Sequence, residues 1–155
     1  MSIILLPFIV IVVVPYWLVS NYGAGPITSL WLHVAGELVF ATGFVLSAWC
    51  LRLFVQVGRG TLAPWDPTRK LVATGPYQVV RNPMVTGVAL MLAGEALFLH
   101  SLAITYWLLA FIIINHGYFV FSEEPGLEKR FGESYRQYKL KVPRWLPRLP
   151  LGSRS

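Results

Sequence analysis

Charge is what this chain has least of. Only 13% of its 155 residues are Asp, Glu, Lys or Arg, while 55% are hydrophobic. A soluble domain carries about 25% charged residues. The few charges are crowded into two stretches, and the long uncharged runs between them have no place on a wetted surface. A soluble enzyme and a disordered chain are therefore excluded. Cysteine is scarcer still: Cys50 stands alone in an apolar run, so there is no internal disulfide scaffold and the thiol reads as a small buried side chain. The three histidines, His33, His100 and His116, are dispersed along the sequence and do not read as a metal site. No G-x-G-x-x-G run follows a strand, so a Rossmann-type nucleotide site is not expected. What remains is an integral membrane protein.

Apolar runs supply the architecture. Ile3 to Val19 is a charge-free stretch of 17 residues, about the minimum for a spanning helix. No Lys or Arg precedes it, so it reads as a retained helix rather than a signal peptide, bent at Pro7 and Pro15. Trp31 to Val55 carries only Glu37 and Arg52. Pro83 to Leu99 and Leu102 to Ser122 are separated only by His100 and Ser101, a spacing that predicts a tight helical hairpin. The fold class expected is all-α, with about four transmembrane helices and an amphipathic C-terminal helix.

The net charge is +6, and the basic residues sit almost entirely in 56–82 and 123–155. The linkers at 20–30 and 100–101 hold no Lys or Arg. With four spans both basic segments fall on one side, which the excess of Lys and Arg makes cytoplasmic, together with both termini. Their partners are then anionic lipid headgroups rather than nucleic acid. Glu37 and Glu95 lie within apolar runs. Intramembrane carboxylates are expensive and mark functional candidates by default; a place near the interface, or a protonated acid bonded to a neighbouring helix, explains them equally. Gly87 and Gly94, seven residues apart on one face, predict close helix packing.

Two polar stretches carry the chemistry. In LVATGPYQVVRNPMVTG, residues 71–87, Thr74-Gly75-Pro76 forms a turn, Asn82 is placed to cap a helix and Pro83 to open it. The exposed N–H groups of such a helix start suit an anion or acceptor group. In SEEPGLEKRFGESYRQYKLKVPRWLP, residues 122–147, Ser122 is placed to cap a new helix with Glu123 and Glu124 in its first turn. Leu127, Phe131, Tyr135 and Tyr138 recur at helical spacing, and the resulting amphipathic helix is expected to lie along the membrane interface.

Together the two stretches resemble the isoprenylcysteine carboxyl methyltransferase family and the related membrane phospholipid methyltransferases. The pattern is LVxxGPYxxVRNPM, an apolar hairpin, then EExxLxxxFGxxYxxYxxxVPRxxP, across about residues 60–148. The resemblance implies a single membrane methyltransferase domain over 1–155, with two N-terminal spans in 1–55 and a cofactor-binding catalytic core in 56–155. It implies S-adenosyl-L-methionine as cofactor, bound on the cytosolic side of what is expected to be a prokaryotic plasma membrane, and S-adenosyl-L-homocysteine as product.

By motif position the resemblance assigns cofactor contacts to Arg69, Lys70, Leu71, Val72, Tyr77, Asn82, Pro83, Met84 and Glu123. Asn82 stands where many members carry His. Phe119 stands where the eukaryotic prenylcysteine enzymes engage substrate with an arginine; Phe supplies no cation, which bears on a carboxylate acceptor but not on methyl transfer itself. Glu123 is then expected to pair with the cofactor's ammonium, and Arg81 or a C-terminal cation with its carboxylate. Tyr77, Tyr135 or Trp145 would stack on adenine or face the sulfonium. Arg81, Glu95 and His116 are the catalytic candidates, the last two as general base for an acceptor that must lose a proton. The acceptor expected is lipid-like. Two rival readings are a noncatalytic lipid-binding membrane module and a sterol-reductase-like enzyme using NADPH.

Overall fold

The computed structural model describes residues 7–26, 29–58 and 71–146. Among them there are helices and turns but no strand. Helix α1 is Ile9–Tyr22, α2 is Leu30–Gly58 and α3 is Pro83–Phe98, preceded by a short 3-10 turn at Gly75–Gln78. Helix α4 is Leu102–Tyr118, α5 is Glu124–Phe131 and α6 is Glu133–Lys141.

Local chemistry sets the helix starts that the sequence marks. Asn82 caps α3, its side-chain oxygen accepting from the Val85 N–H at 3.5 Å with Pro83 in the first turn. Ser101 caps α4 by accepting from the Ile104 N–H at 3.4 Å. The turn between them is as tight as the spacing predicts, and His100 takes a left-handed backbone (φ 49°) to make it.

Two prolines shape the helices in a way the sequence does not announce. A wide π turn at Ile9–Val13 precedes Pro15, and another at Phe119–Glu123 precedes Pro125. Proline has no N–H, so the carbonyl one turn back loses its partner, and the chain stays helical by accommodating an extra residue. Ser122 therefore does not cap a new helix: the helical path runs unbroken from Leu102 to Phe131. The amphipathic segment expected beyond it divides instead, because Gly132 (φ 52°) breaks α5 from α6.

Two helical paths, Leu30–Gln56 and Leu102–Phe131, are long and apolar enough to cross a membrane; Ile9–Tyr22 and Pro83–Phe98 are apolar but shorter. The length criterion thus reaches two of the four spans expected. In the most apolar window of Leu30–Gln56 only 11% of residues are buried within the protein, and Leu38, Phe44, Val45 and Trp49 face outward. An exposed apolar belt of that extent suits hydrocarbon rather than water.

Helices α2 and α3 meet through paired glycines. A β-carbon on Gly43 would sit 2.5 Å from the Gly87 carbonyl oxygen, and one on Gly94 would sit 2.6 Å from that of Gly36. The seven-residue spacing of Gly87 and Gly94 is matched by Gly36 and Gly43 on the antiparallel partner. Backbones approach this closely only where no side chain intervenes. Gly43→Ala and Gly94→Ala are expected to destabilise the protein by about 1–3 kcal/mol each. Gly117→Ala, in α4 with nothing within 4 Å of the added carbon, should be neutral or mildly stabilising. Thermal loss of the helical dichroism signal in detergent checks the contrast.

Candidate functional site

The 3-10 turn is held from beneath by apolar packing. Val72 and Tyr77 are buried with Cys50, against Leu46, Leu53, Phe54 and Met84. Gly75 has φ 57° and lies so close to Leu53 that a β-carbon would stand 2.8 Å from its Cδ1. Chain flexibility and absence of a side chain are both required there.

From above, the turn is held by the C-terminal segment. The Tyr138 hydroxyl donates to the Tyr77 carbonyl oxygen at 2.5 Å, and the Arg81 N–H donates to the Pro143 carbonyl oxygen at 2.9 Å. Between these two bonds lies a buried charge cluster. Glu124, 4% exposed, accepts from Arg81 Nη1 at 2.5 Å and from Arg144 Nε and Nη2 at 3.0 Å each. Lys139 Nζ stands 3.6 Å away. Three cations thus surround Glu124, one of them, Lys139, also reaching Glu128 at 3.9 Å. Tyr135 is fully buried, its hydroxyl enclosed beside the Arg81 guanidinium. Burial raises the Tyr135 phenol above its ordinary value; the Glu124 and Glu123 carboxylates add to this and Arg81 opposes it.

A cavity of about 550 Å³ opens on the α2 side of the turn. Its walls are Trp49 of α2, Pro76, Val79 and Val80 of the turn, Pro83 and Thr86 of α3, and Trp145 from the C-terminal segment. The volume is that of a small-molecule site, and the lining is largely apolar. The Trp145 indole N–H donates to His116 Nδ1 at 2.9 Å.

The chain matches the model of the family described as "Phospholipid methyltransferase" over residues 31–134. It belongs to the phospholipid methyltransferase family. Among its relatives is the Protein-S-isoprenylcysteine O-methyltransferase B of Arabidopsis thaliana, 26% identical over 135 residues, 85% of this chain and 61% of that one. Another is the Protein-S-isoprenylcysteine O-methyltransferase of Schizosaccharomyces pombe, 34% identical over 83 residues, 52% of this chain and 34% of that one. An uncharacterized protein of Haemophilus influenzae is 40% identical over 60 residues, 95% of its length. The chain spans less than two thirds of the two named methyltransferases. No solved structure matches it.

In this member of the methyltransferase family, the structure gathers most but not all of the expected site residues. Val72, Tyr77, Asn82, Pro83 and Tyr135 are buried, and Leu71, Arg81 and Met84 half-buried, around the turn and its cover. Glu123 is exposed, one residue from the buried cluster. Phe119 is 2% exposed and lies 6.0 Å from Trp145, ring to ring. His116 is at the same place, with Nδ1 occupied by Trp145. Arg69 and Lys70 fall outside the described residues.

Glu95 is elsewhere. It lies twelve residues beyond Pro83 on α3, about 18 Å along the axis, and lines a separate cavity of about 380 Å³ with Glu37. Near that end His33 and His100, dispersed in sequence, bring their rings to 4.9 Å.

Glu124, Arg144 and Tyr138 escaped the reading of the sequence as functional residues. Glu124 was visible only as the second member of a Glu-Glu pair, and the π turn before it decides which of the two points inward.

Replacing Glu124 by Gln leaves Arg81 buried and short of its counter-charge, with an expected cost of about 3–5 kcal/mol. Glu133→Gln, which loses an exposed pair with Arg136 and keeps an amide oxygen to accept from Gln137, should stay within about 0.5 kcal/mol. Thermal melts of both variants check the difference. Burial also raises the Tyr77 and Tyr138 phenols, and nearby Cys50, Glu123 and Tyr138 add to the effect on Tyr77. A raised folded-state value means that their stabilisation is complete below the ordinary tyrosine value of about 10 and is lost as pH climbs past it. Melting temperature should therefore fall above pH ~10, and Tyr138→Phe should flatten that fall while lowering the plateau.

Proposed function

We propose that this protein is an S-adenosyl-L-methionine-dependent methyltransferase acting on a lipophilic acceptor, isoprenylcysteine-like or otherwise lipid-like, at the cytoplasmic boundary of the plasma membrane. The observation that carries the reading is the apolar cavity walled by the Gly75–Pro83 turn, standing beside a buried, cation-rich cluster. The family membership and the names of the plant and yeast relatives support the same chemistry.

The residues present fit the cofactor. The Arg81 guanidinium and the Tyr135 hydroxyl are buried side by side, next to Arg144 and Lys139, which share Glu124 with Arg81 while Lys139 also reaches Glu128 at 3.9 Å. That donor set suits the carboxylate of an amino-acid moiety. Glu123 supplies the nearby carboxylate for its ammonium group. When bound, the cofactor supplies a sulfonium methyl group open to in-line displacement.

The protein's own task is then alignment and the exclusion of water. Trp49, Pro76, Val79 and Pro83 offer walls without competing nucleophiles. Trp49 and Val79 are each about half exposed, at 52% and 51%, so a hydrophobic acceptor has a route in from the lipid side. His116 lies beside Trp145, ring to ring at 6.1 Å. Its Nδ1 accepts the indole N–H of Trp145.

Calorimetric titration of the purified protein with S-adenosyl-L-methionine tests the reading. Saturable binding is expected, with Glu123→Gln weakening it by about tenfold, equivalent to ~1.4 kcal/mol. Transfer of a labelled methyl group into a membrane lipid extract should follow. Binding of NADPH in place of the methyl donor, or of neither, would remove the proposal.

A further inference from the structure

The residue from the C-terminal segment that walls the cavity is Trp145, and the way it is mounted is unusual. The backbone beside it is pinned twice, by the Arg81 N–H to the Pro143 carbonyl oxygen and by the paired bonds of Arg144 to Glu124. The indole is positioned by its single N–H bond, 2.9 Å to His116 Nδ1. Its ring lies 6.1 Å from that of His116 and 6.0 Å from that of Phe119. Phe119 is itself buried to 2%. An indole N–H is a donor only, so it selects the neutral imidazole tautomer with its proton on Nε2. One wall of the cavity is thus a broad ring, backed by Phe119 and latched by one hydrogen bond.

Resting on the reading of this cavity as the acceptor site, we propose that Trp145 sets the length of hydrocarbon the acceptor can carry, and that His116 is the latch holding it in place. A straight chain that enters between Trp49 and Val79 gains contact with each added carbon until it meets the indole. Truncating the indole opens the space in front of Phe119, and the gain then continues. Replacing Trp145 by Phe loses the latch bond but keeps an aromatic wall. Replacing His116 by Ala keeps the wall but frees it to swing.

The test is equilibrium dialysis of N-acetyl-S-n-alkylcysteines, lengthened one methylene at a time, against the purified full chain in detergent. The ratio of variant to wild-type affinity cancels partition of the probe into micelles. For Trp145→Ala and the milder Trp145→Leu that ratio should be flat for short chains. It should then climb by about fourfold per methylene, the worth of one buried CH₂, once the wild-type wall is reached. His116→Ala and Trp145→Phe, which both lose the latch bond, should climb later and less steeply. A flat ratio across the whole series for both Trp145→Ala and Trp145→Leu overturns the proposal. Should Trp145→Ala fail to fold, Trp145→Leu decides alone. Titration of the same preparations with S-adenosyl-L-methionine reports separately on the methyltransferase reading, whose failure leaves the length dependence intact.

Discussion

A carboxylate buried to 4% exposure must find its counter-charge inside the protein, and Glu124 finds it in Arg81, 43 residues earlier in the chain. Much of the site's geometry follows from that requirement. The pair draws the end of the α4–α5 path down onto the turn before α3. Arg144 then joins Glu124 from the C-terminal side, bringing Pro143 against the Arg81 N–H and Trp145 into the cavity wall. A buried ion pair adds little to net stability when desolvation is counted, yet separating it is costly. Its value here is positional: it permits one arrangement of the turn, α6 and the C-terminal segment.

The other organising contact is backbone against backbone. The reciprocal glycine contacts of α2 and α3 bring those helices close along much of their length, and the cavity occupies the place where the turn and Trp145 continue the groove between them. The far end of the same pair is built differently. There Glu37 and Glu95 line a smaller cavity, and His33 and His100 pack ring to ring. Among the described residues, the cation-rich cluster lies at the Arg81 end.

This division suits a reaction between a charged donor and a greasy acceptor. A nucleotide-binding sheet is not needed when buried cations, phenols and a carboxylate stand beside an apolar cavity open to lipid.

The sequence by itself determined what depends on near neighbours. Asn82 before Pro83, Ser101 before Leu102, and the seven-residue spacing of Gly87 and Gly94 act within one or two helical turns, and the structure uses each as the local physics requires. The membrane character follows from composition in the same way. The tertiary structure alone decided that Glu124 faces inward beside an exposed Glu123, because an extra residue in the π turn rotates the register that a regular helix would keep. It also divided the C-terminal helix at Gly132, gave Gly87 and Gly94 their partners in Gly43 and Gly36, and set Trp145 against His116. Periodicity reports which face of a helix is apolar. It does not report which distant charge, glycine or ring will meet that face, for those contacts exist only once the chain has closed on itself.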